Sequence, residues 1–331
     1  MKYNIFNTIL VLFICFTIYF YSLSKNKEDT VYFSGGLYGD LIQENSSFHN
    51  IKEILENNNL KAKNTHSFKN LKNLKYLVVF DYPREKKISR LKRIPKEKII
   101  LFSWEPPAVI EENHLKKFHG CFSKVFTFND DLVDNKKYYK FSYPEAHKMI
   151  DNILSFNEKK LLCLVASDKY SDFKDELYSK RREAIRYFEE YAKDDFDLYG
   201  YNWNIEQYPS YKGQIQNKIA VVKRYKFSIC FENNKNINGY ITEKIFQCFE
   251  SGNIPIYLGA ENILDYIPKG CFIDFRNFKN FNELYIYLKT MEEEEYQNYL
   301  ENIRNFLSSQ MAKPFTSQYF QNTMKKALNL K

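Results

Sequence analysis

Along the chain, short apolar runs of strand length alternate with longer stretches whose apolar residues recur every three or four positions. Residues 77–80, 99–102, 125–128, 161–165, 227–231 and 254–257 are rich in Leu, Ile, Val and Phe with little polar interruption. Runs of that kind predict strands buried on both faces, as in parallel sheets. Residues 179–192, 241–251 and 281–306 carry helical spacing, and 317–330 reads as a terminal helix. Strands alternating with helices predict an α/β protein with covered parallel sheets. A polar run at 151–160 precedes a fresh strand. The expected organisation is therefore one domain over 25–155, a second over 156–310, and a helical end over 311–331.

Residues 1–24 stand apart. Between Lys2 and Lys25 no side chain is charged, and the nineteen residues 5–23 are mostly Ile, Leu, Val, Phe and Tyr. As a helix they reach about 28 Å, close to the roughly 30 Å of a bilayer's hydrocarbon. Tyr19, Phe20 and Tyr21 crowd the far end, where interfacial aromatics suit a span. The segment reads as a transmembrane anchor, with a signal peptide as the alternative.

Composition narrows the classes. Hydrophobic residues make up 44% of 331 and aromatics 18%, enough for a sizeable core and too much for a disordered chain. Six cysteines are too few for a disulfide scaffold. The net charge of +8 admits nucleic acid or anionic lipid as partners, and residues 84–98 hold eight basic side chains. Ile88, Leu91 and Ile94 within that run fit the solvated face of an amphipathic segment better than a binding patch.

In doubly wound sheets ligands bind beyond the carboxyl ends of strands, so the residues after each apolar run matter most. After 99–102 comes Ser103-Trp104-Glu105-Pro106-Pro107. A carboxylate held there by prolines is rigid and partly desolvated, which suits a general base. The competing reading is that Glu105 caps a helix beginning near Pro107. After 227–231 comes Glu232-Asn233-Asn234, then Gly239-Tyr240-Ile241-Thr242-Glu243-Lys244 and a helix with the apolar stripe Ile245, Phe246, Phe249. The first turn of that helix offers free N–H groups and a lysine, a site suited to a nucleotide diphosphate.

The pattern FENN, five residues, YITEK and the trailing SGNIPIYLG resembles the donor-site signature of the α-1,3/1,4-fucosyltransferases, glycosyltransferase family 10. The likeness is dense over 227–278 and looser upstream to Trp104. It implies a GT-B arrangement: two Rossmann-like domains facing across a cleft, here preceded by the anchor helix. It also implies inverting transfer of fucose from GDP-fucose to a hydroxyl of an N-acetylglucosamine-containing glycan, with no metal or other cofactor. By the same resemblance Glu105 matches the catalytic glutamate, Lys244 the lysine that holds the phosphates, and Glu232, Asn233, Tyr240 and Glu243 donor-contacting positions. A phosphate-binding arginine falls in Lys180-Arg181-Arg182-Glu183-Ala184, with Arg182 the choice and Arg181 the fallback. Alternatives are a related transferase with another GDP-sugar or acceptor, and a membrane-anchored nucleotide-binding protein without turnover.

The chain departs from the vertebrate members, which carry an arginine where it has Phe128-Asn129-Asp130-Asp131 and end in paired cysteines, whereas its last cysteine is Cys271. Asp195-Phe196-Asp197 mimics a metal-binding Asp-x-Asp but runs into the strand at Tyr199-Gly200 and reads as structural. Asn45-Ser46-Ser47 is a glycosylation sequon, of use only in a lumenal domain. The expected partners are GDP-fucose, a glycan and a membrane, not nucleic acid. The expected location is a single-pass membrane protein: type II in the Golgi if eukaryotic, otherwise a bacterial inner membrane or a viral host's membrane.

Overall fold

The buried apolar runs form strands because each can lie between sheet neighbours with side chains covered on both faces. The structure, a computed structural model, describes residues 29–35 and 49–331. The apolar segment 1–24 and the sequon at Asn45 lie outside the described residues. Among those described, no helix is long and apolar enough to cross a membrane.

The chain divides into two compact units, one of residues 1–101 with 121–123 and 330, the other of 102–120, 124–329 and 331. In the first, β1 (Thr30–Ser34), β2 (Lys61–Asn64) and β3 (Leu74–Phe80) are parallel, with Val31 opposite Ala62 and Tyr76. Parallel neighbours need a crossover, and α1 (His49–Glu56) supplies it between β1 and β2 by burying Ile51 and Leu55. β2 alternates exposed and half-buried positions, as a lysine-bearing edge strand does. The basic run forms α2 (Glu85–Leu91), which buries Leu91 and leads to β4 (Ile99–Ser103). β5 (Lys124–Thr127) and β6 (Tyr138–Lys140), whose residues fall in the second unit, pair in parallel. The larger sheet runs in the order β2-β1-β3-β4-β5-β6.

The second unit holds a five-stranded parallel sheet of β7 (Lys160–Val165), β8 (Phe196–Tyr199), β9 (Tyr225–Phe231), β10 (Ile254–Leu258) and β11 (Ile273–Asp274), in the order β11-β10-β9-β7-β8. From β7 the chain builds first to one side, at β8, and then to the other, at β9. The reversal lies between β7 and β9, and in doubly wound sheets such a switch point is where ligands bind, beyond the carboxyl ends. Helices α3 (Tyr178–Tyr191), α4 (Lys218–Val222) and α5 (Glu243–Glu250) connect these strands. α5 buries Ile245, Phe246 and Phe249, each worth roughly 1.5–3 kcal/mol of burial.

The helical stretch expected over 281–306 is in fact two helices, α6 (Phe281–Thr290) and α7 (Glu293–Leu307). Met291 takes an extended backbone and is buried, and three glutamates follow on the first turn of α7. The break lets Met291 reach the core and places acidic groups at a helix N-terminus, where the dipole favours them. The terminal helix is α8 (Ser317–Ala327).

Candidate functional site

β9 ends at Phe231, so Glu232, Asn233 and Asn234 leave the sheet at the switch point. Glu232 is fully buried, and its carboxylate accepts from the Thr242 amide at 2.9 Å and from Thr242 Oγ1 at 2.8 and 3.0 Å. Thr242 is the N-cap of α5, its Oγ1 accepting from the Lys244 amide. The strand end and the helix start are thus tied through one threonine.

Lys244 Nζ lies 3.1 Å from Glu232 Oε2, 3.3 Å from Glu243 Oε1 and 3.0 Å from Thr242 Oγ1. Its side chain is 19% exposed. Although burial works against the charge, Glu232 and Glu243 hold the ammonium well above the ordinary lysine range. Burial likewise penalises Glu243, but Lys244 and then Lys218 bring that carboxylate down to about 2. The start of α5 therefore holds the Lys244 ammonium between the carboxylates of Glu232 and Glu243.

The adjacent arginines of α3 part ways. Arg181 is 6% exposed and donates to Phe231 O at 2.6 Å and Asn233 Oδ1 at 3.0 Å. Arg182 donates instead to Asp168 Oδ1 at 3.1 Å and Lys169 O at 2.6 Å, beyond the end of β7. The structure brings Arg181, rather than Arg182, to Asn233. One arginine lies on each side of the switch point.

No helix starts at Pro107, which removes the capping alternative for Glu105. Residues 107–109 form a turn instead, with the Val109 and Ile110 amides donating to Pro106 O. A proline pair that cannot extend β4 forces this turn, and side chains hold its backbone. Asn113 Nδ2 and His114 Nε2 each lie 3.0 Å from Glu105 O, and Tyr143 OH donates to Trp104 O. Ser171 Oγ donates to Ala108 O at 2.9 Å, and the Ala108 amide donates to Asn234 Oδ1 at 3.1 Å. Burial keeps the His114 imidazole neutral, down at about 4, against the opposing pull of its bond to Glu105.

Tyr178, at the first turn of α3, lies under the Arg181 guanidinium, 5.3 Å from its ring centroid. Burial pushes its phenol up, Arg181 opposes that rise, and the more distant charges of Glu105, Lys244 and Glu176 act in opposing directions. Tyr240 is fully buried too, its ring 4.8 Å from that of Phe128, and burial followed by Glu232 drives its phenol well above the usual range. Glu232 and Tyr240 thus lie beneath the surface, while Glu243 is 40% exposed.

Sequence reasoning named Asn234 in the polar loop without giving it a role, and missed Tyr178, Asn113, His114 and the cluster around Asp130. Asp130 accepts from Lys140 Nζ at 2.7 Å, Asn262 Nδ2 at 3.0 Å and Tyr266 OH at 2.8 Å. Its amide donates to Asn238 O, which pins the loop leading into Tyr240. The carboxylate stands in Phe128-Asn129-Asp130-Asp131, the segment where the resemblance seen in the sequence leads one to expect an arginine, and that mismatch was the available signal. Gly239 in this loop has φ +77°, and a Cβ there would meet Phe128 O at 2.5 Å and the Lys140 ammonium.

Asp197 is buried in β8 with Lys160, Lys212 and Tyr225, and Asp195 binds Tyr285 and Lys289. Their side chains serve different neighbours. Among the described residues no three of His, Cys, Asp and Glu come together as metal ligands.

Residues 157–326 match the sequence profile of glycosyltransferase family 10 (fucosyltransferase), C-terminal part, just over half of the 331-residue chain. The chain is 42% identical over 76 residues to the α-(1,3)-fucosyltransferase FucT of Helicobacter pylori, covering 23% of this chain and 16% of that protein. It is 29% identical over 202 residues to mouse 4-galactosyl-N-acetylglucosaminide 3-α-L-fucosyltransferase 9, covering 60% of this chain and 51% of that protein. The chain thus spans about half or less of the length of the curated relatives it matches. Among solved structures, an α1,3-fucosyltransferase aligns with TM-score 0.57 at 16% identity, covering 92% of each chain. An α-glucosyltransferase in complex with UDP also aligns at 0.57, with 10% identity, covering 90% of this chain and 99% of that one. At such identities these likenesses show the fold alone, an α/β GT-B-like arrangement of parallel sheets. The match over the unit that carries FENN and YITEK decides the affiliation: the chain belongs to glycosyltransferase family 10, the fucosyltransferases.

Proposed function

We propose that the protein transfers fucose from GDP-fucose to a hydroxyl of an N-acetylglucosamine-containing glycan, with inversion at the sugar carbon. The observation that carries the reading is the pair of cations held where β9 ends at the switch point, Lys244 on Glu232 and Arg181 on Asn233, inside the segment that matches the family. Inverting displacement needs a base for the incoming hydroxyl and positive charge for the departing diphosphate. Glu105 takes the acceptor proton as the new carbon–oxygen bond forms and the bond to GDP breaks. Charge grows on the β-phosphate oxygens as that bond breaks, and Lys244 and Arg181, fixed in place beforehand, stabilise it. Asn233 and Glu243 bind donor hydroxyls, while Glu232 and Tyr240 support them from beneath. With side-chain cations at the diphosphate, the reaction needs no metal. Residues 1–24 tether the enzyme to a membrane.

The test is incubation of the full chain with a panel of GDP-sugars, scoring donor hydrolysis and transfer to N-acetyllactosamine-type glycans. Transfer from GDP-fucose with chelator present supports the reading. GDP binding without transfer to any acceptor refutes it, and turnover with another GDP-sugar alone reassigns the donor.

A further inference from the structure

Asn234 has no counterpart among the roles assigned above, yet it is fully buried and uses both ends of its amide. Oδ1 accepts from the Ala108 amide at 3.1 Å and Nδ2 reaches Asp175 O at 3.4 Å. Its own backbone is pinned on both sides: the Leu177 amide donates to Asn233 O and the Lys235 amide to Asp175 O, both at 2.9 Å. The residues before it are Glu232, which pairs with Lys244, and Asn233, which receives Arg181. Ala108 lies three residues after Glu105, in the turn closed onto Pro106 O. One side chain therefore spans from the loop that organises the phosphate-side cations to the turn that carries the carboxylate.

We propose that Asn234 is a positioning residue that fixes the Glu105 turn onto the donor loop, so that turnover depends on it while donor affinity does not. The inference rests on the reading of Glu105 as the base. An amide suits the position because it accepts and donates at once without charge, whereas a side chain with no acceptor would orphan the Ala108 N–H. Ser171 Oγ holds the carbonyl of the same residue, so Ala108 is gripped at both its donor and its acceptor. Catalysis is sensitive to such placement: a shift of about 1 Å at the reacting groups can cost on the order of 100-fold.

The experiment compares the full-length wild type with Asn234→Ala, Asn234→Ser and Asn234→Asp. It reads kcat and KM for GDP-fucose, GDP affinity by calorimetry, and hydrogen exchange at the Ala108 amide. Asn234→Ala and the milder Asn234→Ser, whose shorter arm cannot reach Ala108, should lower kcat by roughly 10–100-fold. GDP affinity and KM should stay within about threefold, and Ala108 exchange should accelerate. Asn234→Asp keeps an acceptor for the Ala108 amide but loses the donor to Asp175 O and buries a charge, so Ala108 exchange should stay slower than in Asn234→Ala. The proposal is overturned if kcat is unchanged, if GDP affinity falls in step with kcat, or if Ala108 exchange is unaltered in every variant that folds. If the wild type transfers no fucose at all, the functional reading fails by itself. The exchange at Ala108 and the GDP affinity then still decide whether Asn234 holds the turn.

Discussion

Replacing Lys244 with Met separates two things the lysine does. Its ammonium lies 3.1 Å from Glu232, whose carboxylate has no solvent exposure. Breaking a buried pair by removing one partner typically costs about 3–5 kcal/mol, because the other charge is left buried. Glu232 retains its bonds from the Thr242 amide and hydroxyl, and Lys244 is partly exposed. The loss should therefore fall at the low end, about 3 kcal/mol, a large share of a typical total of roughly 5–15 kcal/mol. The same substitution should weaken GDP binding by about 1.5–3 kcal/mol, the value of a hydrogen bond to a charged group. Adding Glu232→Gln tells the effects apart. Glutamine still accepts from Thr242 but carries no charge, so denaturant unfolding should show stability returning most of the way to wild type. GDP affinity, measured by calorimetry, should stay low. Recovery of GDP affinity in the double variant would refute a direct phosphate role for Lys244. Unchanged stability in Lys244→Met would refute the buried-pair account.

Glu105→Gln should cut transfer by roughly 100–10,000-fold, the usual worth of a general base, with GDP affinity nearly intact; weakened GDP binding would instead assign Glu105 to structure. Gly239→Ala should destabilise the fold by about 1–3 kcal/mol, since its positive φ and the nearby Phe128 carbonyl leave no room for a Cβ; a wild-type melting temperature would contradict the loop geometry. His114 links stability to pH. Burial lowers it from 6.5 to about 4, so between those values the unfolded chain binds a proton that the folded chain refuses. The stability it contributes is complete above pH 6.5 and is lost as pH falls toward 4, with about 2 kcal/mol gone by pH 5. His114→Gln should show a correspondingly smaller fall between pH 7 and 5 in urea unfolding, and an identical fall would mean that His114 titrates normally.

Much of the fold was legible from apolar runs alone. The strands β3, β4, β5, β7, β9 and β10 appear where continuous burial was expected, each within a few residues of its predicted ends. The short strands β2 and β6 were not legible, because edge positions are half-exposed and carry no continuous apolar run. The Thr242–Lys244 turn could be read in advance because a cap, an acid and a lysine before an amphipathic stripe are local signals.

What the sequence determined by itself is the order of the elements, the affiliation signature FENN to YITEK, and the placement of its polar residues after a buried strand. The tertiary structure alone decided how those residues are used. Arg181 and Arg182 are neighbours in sequence, but a helix turns about 100° per residue, so one meets β9 and the other the loop after β7. No periodicity states which strand lies alongside, since strand order is set by long-range pairing. The grip of Asn234 on Ala108 joins residues 126 positions apart, and the ties from Asp130 to Asn262 and Tyr266 span 132 and 136. Such bonds arise because a buried amide or carboxylate must find partners wherever the fold brings them, and only the folded chain says where that is.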